Sequence, residues 1–255
     1  MQNFEQQFPV VKFDPQMEVT PIPWLIRGLW QKGKINGIAG YEKSGKSRLL
    51  GWILSGLYSG SSNSVLGLDI VGYQVVKPHV LYLCGEETKE VVNQRLLKYA
   101  GLQGVDPEKI DVDFMEAAGM RLELKPQRDA LLEYILNNNY DLIVMDPMRR
   151  LHTADEDKST QMAPIYNDIR RWSNRHGVTI LLVHHTGKVG DDTDMSRIAN
   201  WFRGSTDLAA ILDCATYVQR TTKTTVAVHR HGRFEPLPNL IINDLSDGKG
   251  FERKA

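Results

Sequence analysis

The chain has 255 residues, 42% of them hydrophobic, and balances 31 basic against 31 acidic side chains for a formal net charge of zero. That length and apolar fraction suffice for one large α/β domain with its own core, and they exclude a disordered or fibrous chain. Zero net charge excludes a monomer that coats nucleic acid by bulk electrostatics, so any such binding has to come from local loops or an assembled surface.

Residues 1–23 carry Pro9, Pro15, Pro21 and Pro23 and read as an extended N-terminal arm, followed by one domain over 24–255 with no internal repeat. Glu5, Asp14 and several glutamines stand where a secretion signal would need a basic start and an apolar core. No later run of about 18 apolar residues appears, so a cytoplasmic chain with no membrane contact is expected. Cys84 and Cys214 cannot form a disulfide framework, in keeping with a reducing compartment. Residues 35–39 are the first continuous apolar run, expected as a strand. Leu49, Leu50, Ile53, Leu54 and Leu57 then fall on one helical stripe. A second strand is expected over 80–83 with a helix behind it. Pro126 opens a further helix through Leu131, Leu132, Ile135 and Leu136, and a third strand covers 142–145. Met162, Ile165, Tyr166, Ile169 and Trp172 form the next stripe, starting after Ser159 and stopping at Gly177 before a strand over 178–183. These four strands are continuous rather than alternating, as expected for burial on both faces. Residues 187–202 read as a long polar loop, and shorter strands at 215–219, 225–228 and 240–242 are joined by turns. The expected fold class is α/β: a mostly parallel twisted sheet covered by helices on both faces, with C-terminal antiparallel strands.

The strongest chemical signal is Gly40-Tyr41-Glu42-Lys43-Ser44-Gly45-Lys46-Ser47, a full G-x-x-x-x-G-K-S match between the first strand and the first helix, with Arg48 following. Glycines let consecutive backbone N–H groups turn inward around an anion, and the helix N-terminus adds partial positive charge. Lys46 is placed to reach the β- and γ-phosphates and the Ser47 hydroxyl to ligate Mg²⁺. A nucleoside triphosphate, ATP, with Mg²⁺ is the implied ligand.

Asp146 ends the strand over 142–145, and a carboxylate at that edge can hold Mg²⁺ through water; capping of the turn at Pro147 is the other use of an Asp there. Glu86 and Glu87 follow the strand over 80–83 and emerge at the same edge. One of them, orienting or deprotonating the attacking water, would make the chain a hydrolase rather than a switch. The alternative is an acidic pair favoured by the dipole of the next helix. His184 and His185 end the strand over 178–183, with no Cys or His cluster to suggest zinc. His185 reads as a sensor that bonds the γ-phosphate and moves the following loop when that bond is lost.

With these residues in place, the chain resembles RecA-superfamily P-loop ATPases, and among them the RepA-like hexameric replicative helicases of plasmids and phages. The resemblance runs from about residue 21 to residue 244. It is carried by Pro23-Trp-Leu-Ile-Arg-Gly-Leu, the phosphate loop, Val-Leu-Tyr-Leu-Cys-Gly-Glu86-Glu87, Asp146-Pro-Met-Arg-Arg-Leu-His152 and Leu-Leu-Val-His184-His185-Thr186. It implies a RecA-like ATPase domain over 24–255, in which Glu86 activates water, Asp146 is the acidic residue on the metal side, His185 is the sensor and Arg95 stacks on adenine. An arginine from a neighbouring subunit completes such sites, and two candidates stay open. Arg230 lies in Val228-His-Arg-His-Gly232, similar to a Lys-x-Arg-x-Gly strand end but with Val228 in the place of the lysine; Arg203 lies in Arg-Gly-Ser-Thr. Single-stranded DNA would be met by two loops, one with Arg149, Arg150 and Lys158, the other with Lys188, Arg197 and Trp201. Six copies in a homo-oligomeric ring would concentrate that weak charge. The implied function is an ATP-driven helicase working with replication or recombination proteins. A recombination or repair ATPase that does not unwind, and a nucleotide-gated regulatory binding protein, are the alternatives.

Overall fold

The computed structural model describes residues 12–18, 21, 23–59, 64–71, 77–186, 206–233, 237–245 and 249–254. Its strands are β1 (Trp24–Ile26), β2 (Trp30–Gln31), β3 (Ile35–Gly40), β4 (Ser64–Val65), β5 (Leu68–Asp69), β6 (Val80–Cys84), β7 (Val112–Glu116), β8 (Leu142–Asp146), β9 (Thr179–His185), β10 (Cys214–Arg220), β11 (Thr225–Gly232), β12 (Leu240–Leu245) and β13 (Gly250–Arg253). The helices are α1 (Lys46–Gly56), α2 (Lys89–Gln103), α3 (Lys125–Asn137), α4 (Ser159–His176) and α5 (Thr206–Ile211). One nine-stranded sheet has the order β13-β12-β11-β10-β3-β9-β8-β6-β7. From β10 to β7 every neighbouring pair is parallel, whereas β11, β12 and β13 each run antiparallel to the strand before them.

Two apolar cores explain the sheet's position. On one face Leu181 and Val183 of β9 and Tyr82 of β6 pack with Leu49, Leu50 and Ile53 of α1 and Val92 and Leu96 of α2. On the other, Ile180, Leu182, Leu81 and Leu83 pack with Leu131 and Ile135 of α3 and with Met162, Ile165, Ile169 and Trp172 of α4. Strands covered on both sides are apolar at nearly every position, and β3 and β6 are buried throughout, the one polar side chain of β3, Asn36, being hydrogen-bonded to the Gln31 backbone. α3 and α4 are also tied by a buried ion pair: Arg128 Nε donates to Asp168 Oδ2 at 2.6 Å and Arg128 Nη1 to the Leu122 carbonyl at 2.6 Å.

The expected fold class is the observed one, and the differences are local. β8 and β9 run one to two residues past their apolar stretches, taking in Asp146, His184 and His185. β7 is an edge strand with no fully buried residue, so it presents no apolar run to read. Parallel connectivity brings the C-terminal ends of β3, β6, β8 and β9 side by side, and a crevice there is where open α/β sheets bind ligands.

Candidate active site

β3 leads directly into the 41–45 turn and α1. Gly45 caps the helix with φ 97°, a left-handed conformation that disfavours a side chain, and a Cβ there would stand 3.1 Å from Arg220 Nη2. At Gly40 a Cβ would meet the Val218 carbonyl at 2.5 Å and Ser44 Oγ at 2.8 Å, so only glycine fits. The first turn of α1 has no acidic residue, which leaves its N-terminal partial charge uncompensated and available to an anion. Lys46 is buried, and its Nζ donates to the carbonyls of Gly40 at 2.5 Å and Tyr41 at 2.7 Å. Burial lowers its pKa to about 8, against the raising influence of Asp146, Glu42 and Glu86. The loop thus offers a narrow backbone cradle and a desolvated cation, which fit a phosphate chain.

Above the loop lies a cavity of about 530 Å³. Glu42, Lys43, Gly45, Lys46, Ser47 and Arg48 line it from the loop side, while Glu86, Glu87, Arg95, Asp146 and His185 line it from the other strand ends and α2. Tyr41 and Ser44 face a neighbouring cavity instead. Asp146 accepts a hydrogen bond from the Tyr82 hydroxyl, and burial raises its pKa to about 6. The two adjacent acids separate cleanly. Glu87 is held by Arg95 through two bonds of 2.7 and 2.5 Å, whereas Glu86 is half exposed with its Oε2 3.6 Å from His185 Nε2. Burial also lowers the pKa of His185, with nearby Lys46 adding to the effect. His184 turns to the opposite face of the sheet, toward Glu156.

Five cavity residues were not foreseen: Tyr82, Cys84, Val92, Val183 and Arg220. Arg220 Nη2 lies 2.5 Å from Asp244 Oδ2, and Arg48 Nη2 lies 2.7 Å from Asp244 Oδ1, so a buried β12 carboxylate braces two arginines beside the phosphate loop. Arg230 lies where an arginine reaching into a neighbouring subunit would not be free to act. It is buried, its Nε donates to the Pro238 carbonyl at 2.7 Å, its Nη1 to the Gly28 carbonyl at 2.6 Å and its Nη2 to Pro238 again. Desolvation lowers its pKa to about 10. The physical reason is strand alternation, which sets Arg230 in line with buried Val226 and Val228. Arg149 and Arg150 form a 3₁₀ turn directly after β8, and Lys158 pairs with Asp155 at 3.5 Å before α4. Arg203, Lys188, Arg197 and Trp201 lie outside the described residues, as does much of the 1–23 arm.

A sequence model of the AAA domain family matches residues 4–191. The chain belongs to the AAA domain family. No curated protein matches it. Among solved structures, this AAA-family chain is similar in fold to the ATPase domain of G40P, with 13% identity, a TM-score of 0.66, and coverage of 88% of this chain and 86% of that one. The family match and the glycine-rich turn of residues 40–47 between β3 and α1 make this a P-loop ATPase domain. Among the described residues, no helix is long and apolar enough to cross a membrane.

Proposed function

We propose that this ATPase is an Mg²⁺-dependent motor on single-stranded DNA, a ring-forming and hexameric replicative helicase of the RepA-like kind. The observation that carries the catalytic part is the separation of the two acids: with Glu87 engaged by Arg95, Glu86 alone stands free beside His185. Glu86 orients and deprotonates the attacking water, and His185 reads the terminal phosphate from the adjoining strand end. Lys46 exchanges its two loop carbonyls for phosphate oxygens. Ser47 and Asp146 would hold Mg²⁺, which would supply positive charge at the phosphoryl oxygens. Arg95, still paired with Glu87, offers the flat face of its guanidinium to the base. Arg230 is committed inside its own subunit, which leaves Arg203 as the arginine offered to a neighbour's site. Arg149, Arg150, Lys158, Lys188 and Arg197 meet the DNA backbone in the ring's channel, and replication or recombination proteins recruit it. ATP turnover with and without single-stranded DNA, alongside native mass and strand displacement, tests the reading. A ring with DNA-stimulated turnover and displacement is expected. Stimulation without displacement would indicate a recombination or repair ATPase, and a monomer indifferent to DNA would reject the motor.

A further inference from the structure

β9 ends on two histidines that face opposite sides of the sheet, because successive strand residues alternate. His185 faces the nucleotide cavity. His184 is fully buried on the other side, its Nδ1 2.7 Å from the carbonyl of His185 and its Nε2 3.1 Å from Glu156 Oε1. Both ring nitrogens thus face oxygen atoms. Glu156 is nine-tenths buried yet stays a carboxylate: burial alone would raise its pKa, but His184 at 3.1 Å and the His152 ring at 3.6 Å outweigh burial and hold it down to about 2. Arg149 Nε stands 3.6 Å from the other oxygen, Glu156 Oε2, and the side chain of Arg149 is half exposed. A cavity of about 560 Å³ beside this cluster is bounded by Arg149, Glu156, His184 and His185, and by Glu42 of the phosphate loop. One buried carboxylate therefore joins the strand end that meets the nucleotide to a solvent-facing arginine after β8.

We propose that Glu156 is a positioning residue linking the nucleotide-facing end of β9 to Arg149, so that a nucleic-acid phosphate capturing Arg149 changes how His185 meets the terminal phosphate. The proposal rests on the reading of the chain as a DNA-dependent ATPase. A half-exposed ion pair at 3.6 Å is weak enough for a phosphate to displace. The carboxylate is then left to His184 and His152, and its adjustment reaches His185 through the carbonyl that His184 bonds.

Two readouts on the full-length chain test this. The first needs no DNA: the ratio of affinities for a non-hydrolysable ATP analogue and for ADP. Glu156→Gln keeps the side chain's size and removes its charge, and it should change that ratio by about fivefold or more. An unchanged ratio in Glu156→Gln protein that melts like the parent overturns the link whatever DNA does. Arg149→Ala, at a half-exposed position, is expected to shift the ratio in the same direction and provides the measurement if the first variant does not fold. The second readout is stimulation of turnover by an oligo-dT at saturation. Arg149→Ala should bring it to within about twofold of none, whereas Arg150→Ala should weaken DNA binding but keep the stimulation. Equal behaviour of the two arginines overturns the proposal. Wild-type turnover indifferent to DNA would refute the motor reading alone, with the first readout still deciding the role of Glu156.

Discussion

Nucleotide affinity should fall on both sides of a plateau between about pH 6 and pH 8, because Lys46 and Asp146 in the cavity are held away from their ordinary pKa values. Lys46 titrates at about 8 in the free protein, through burial. Bound phosphates favour the charged amine and raise its pKa, so above pH 8 binding must take up a proton, and affinity should drop about tenfold by pH 9. Asp146 titrates at about 6, again through burial. A bound divalent ion favours the carboxylate and lowers its pKa, so below pH 6 binding must release a proton, and affinity for the Mg²⁺ complex should drop about tenfold by pH 5. Each tenfold step is about 1.4 kcal/mol of binding free energy. Cys84, raised to about 11 by burial, does not titrate in this window. Fluorescent ADP with Mg²⁺, titrated at pH 5, 7 and 9, reads both limbs. Lys46→Met should bind more weakly and lose the alkaline limb, and Asp146→Asn should lose the acid one. A flat affinity from pH 5 to pH 9 in the parent protein would refute the electrostatic account of the cavity.

Glu86→Gln should cut phosphate release by about a hundredfold or more while ADP affinity is kept; turnover at the parent level would remove Glu86 from the reaction. Arg203→Ala should lower turnover with melting unchanged. Arg230→Ala should instead lower stability, at about 0.5–1.5 kcal/mol for each hydrogen bond lost to the carbonyls of half-buried Gly28 and exposed Pro238, as read by chemical denaturation; an Arg230→Ala protein of parent stability and no turnover would restore it to the site. Asp168→Ala leaves Arg128 buried without its carboxylate. It should cost about 3–5 kcal/mol of stability with nucleotide affinity intact, and a loss under about 1 kcal/mol would contradict the pairing of α3 with α4.

The sheet and its nucleotide loop were legible because both are local signals. Apolar runs mark strands covered twice, and the glycine spacing marks a turn that only one backbone shape satisfies. Strand ends were harder to read, since the run of apolar residues stops where Asp146, His184 and His185 begin, although the backbone pairing continues through them. The burial of Arg230 was less legible: it shares a face with Val226 and Val228, but β11 is buried on both faces from Val226 to Arg230, so no alternation marks it, and motif likeness placed it outside. No local pattern could announce the bracing of Arg48 and Arg220 by Asp244. The register of β10, β11 and β12 brings Arg220 to a carboxylate 24 residues away, and α1 supplies Arg48 from 196 residues away. The same holds for Glu156 and His184, separated by all of α4.

A structure of the protein with Mg²⁺ and a non-hydrolysable ATP analogue is the most direct measurement. The account predicts phosphates against the backbone of residues 40–47, the amine of Lys46 turned from its loop carbonyls onto them, and the terminal phosphate facing Glu86 and His185. Nucleotide bound elsewhere, or Lys46 still bonded to Gly40 and Tyr41 beside a filled site, would contradict it.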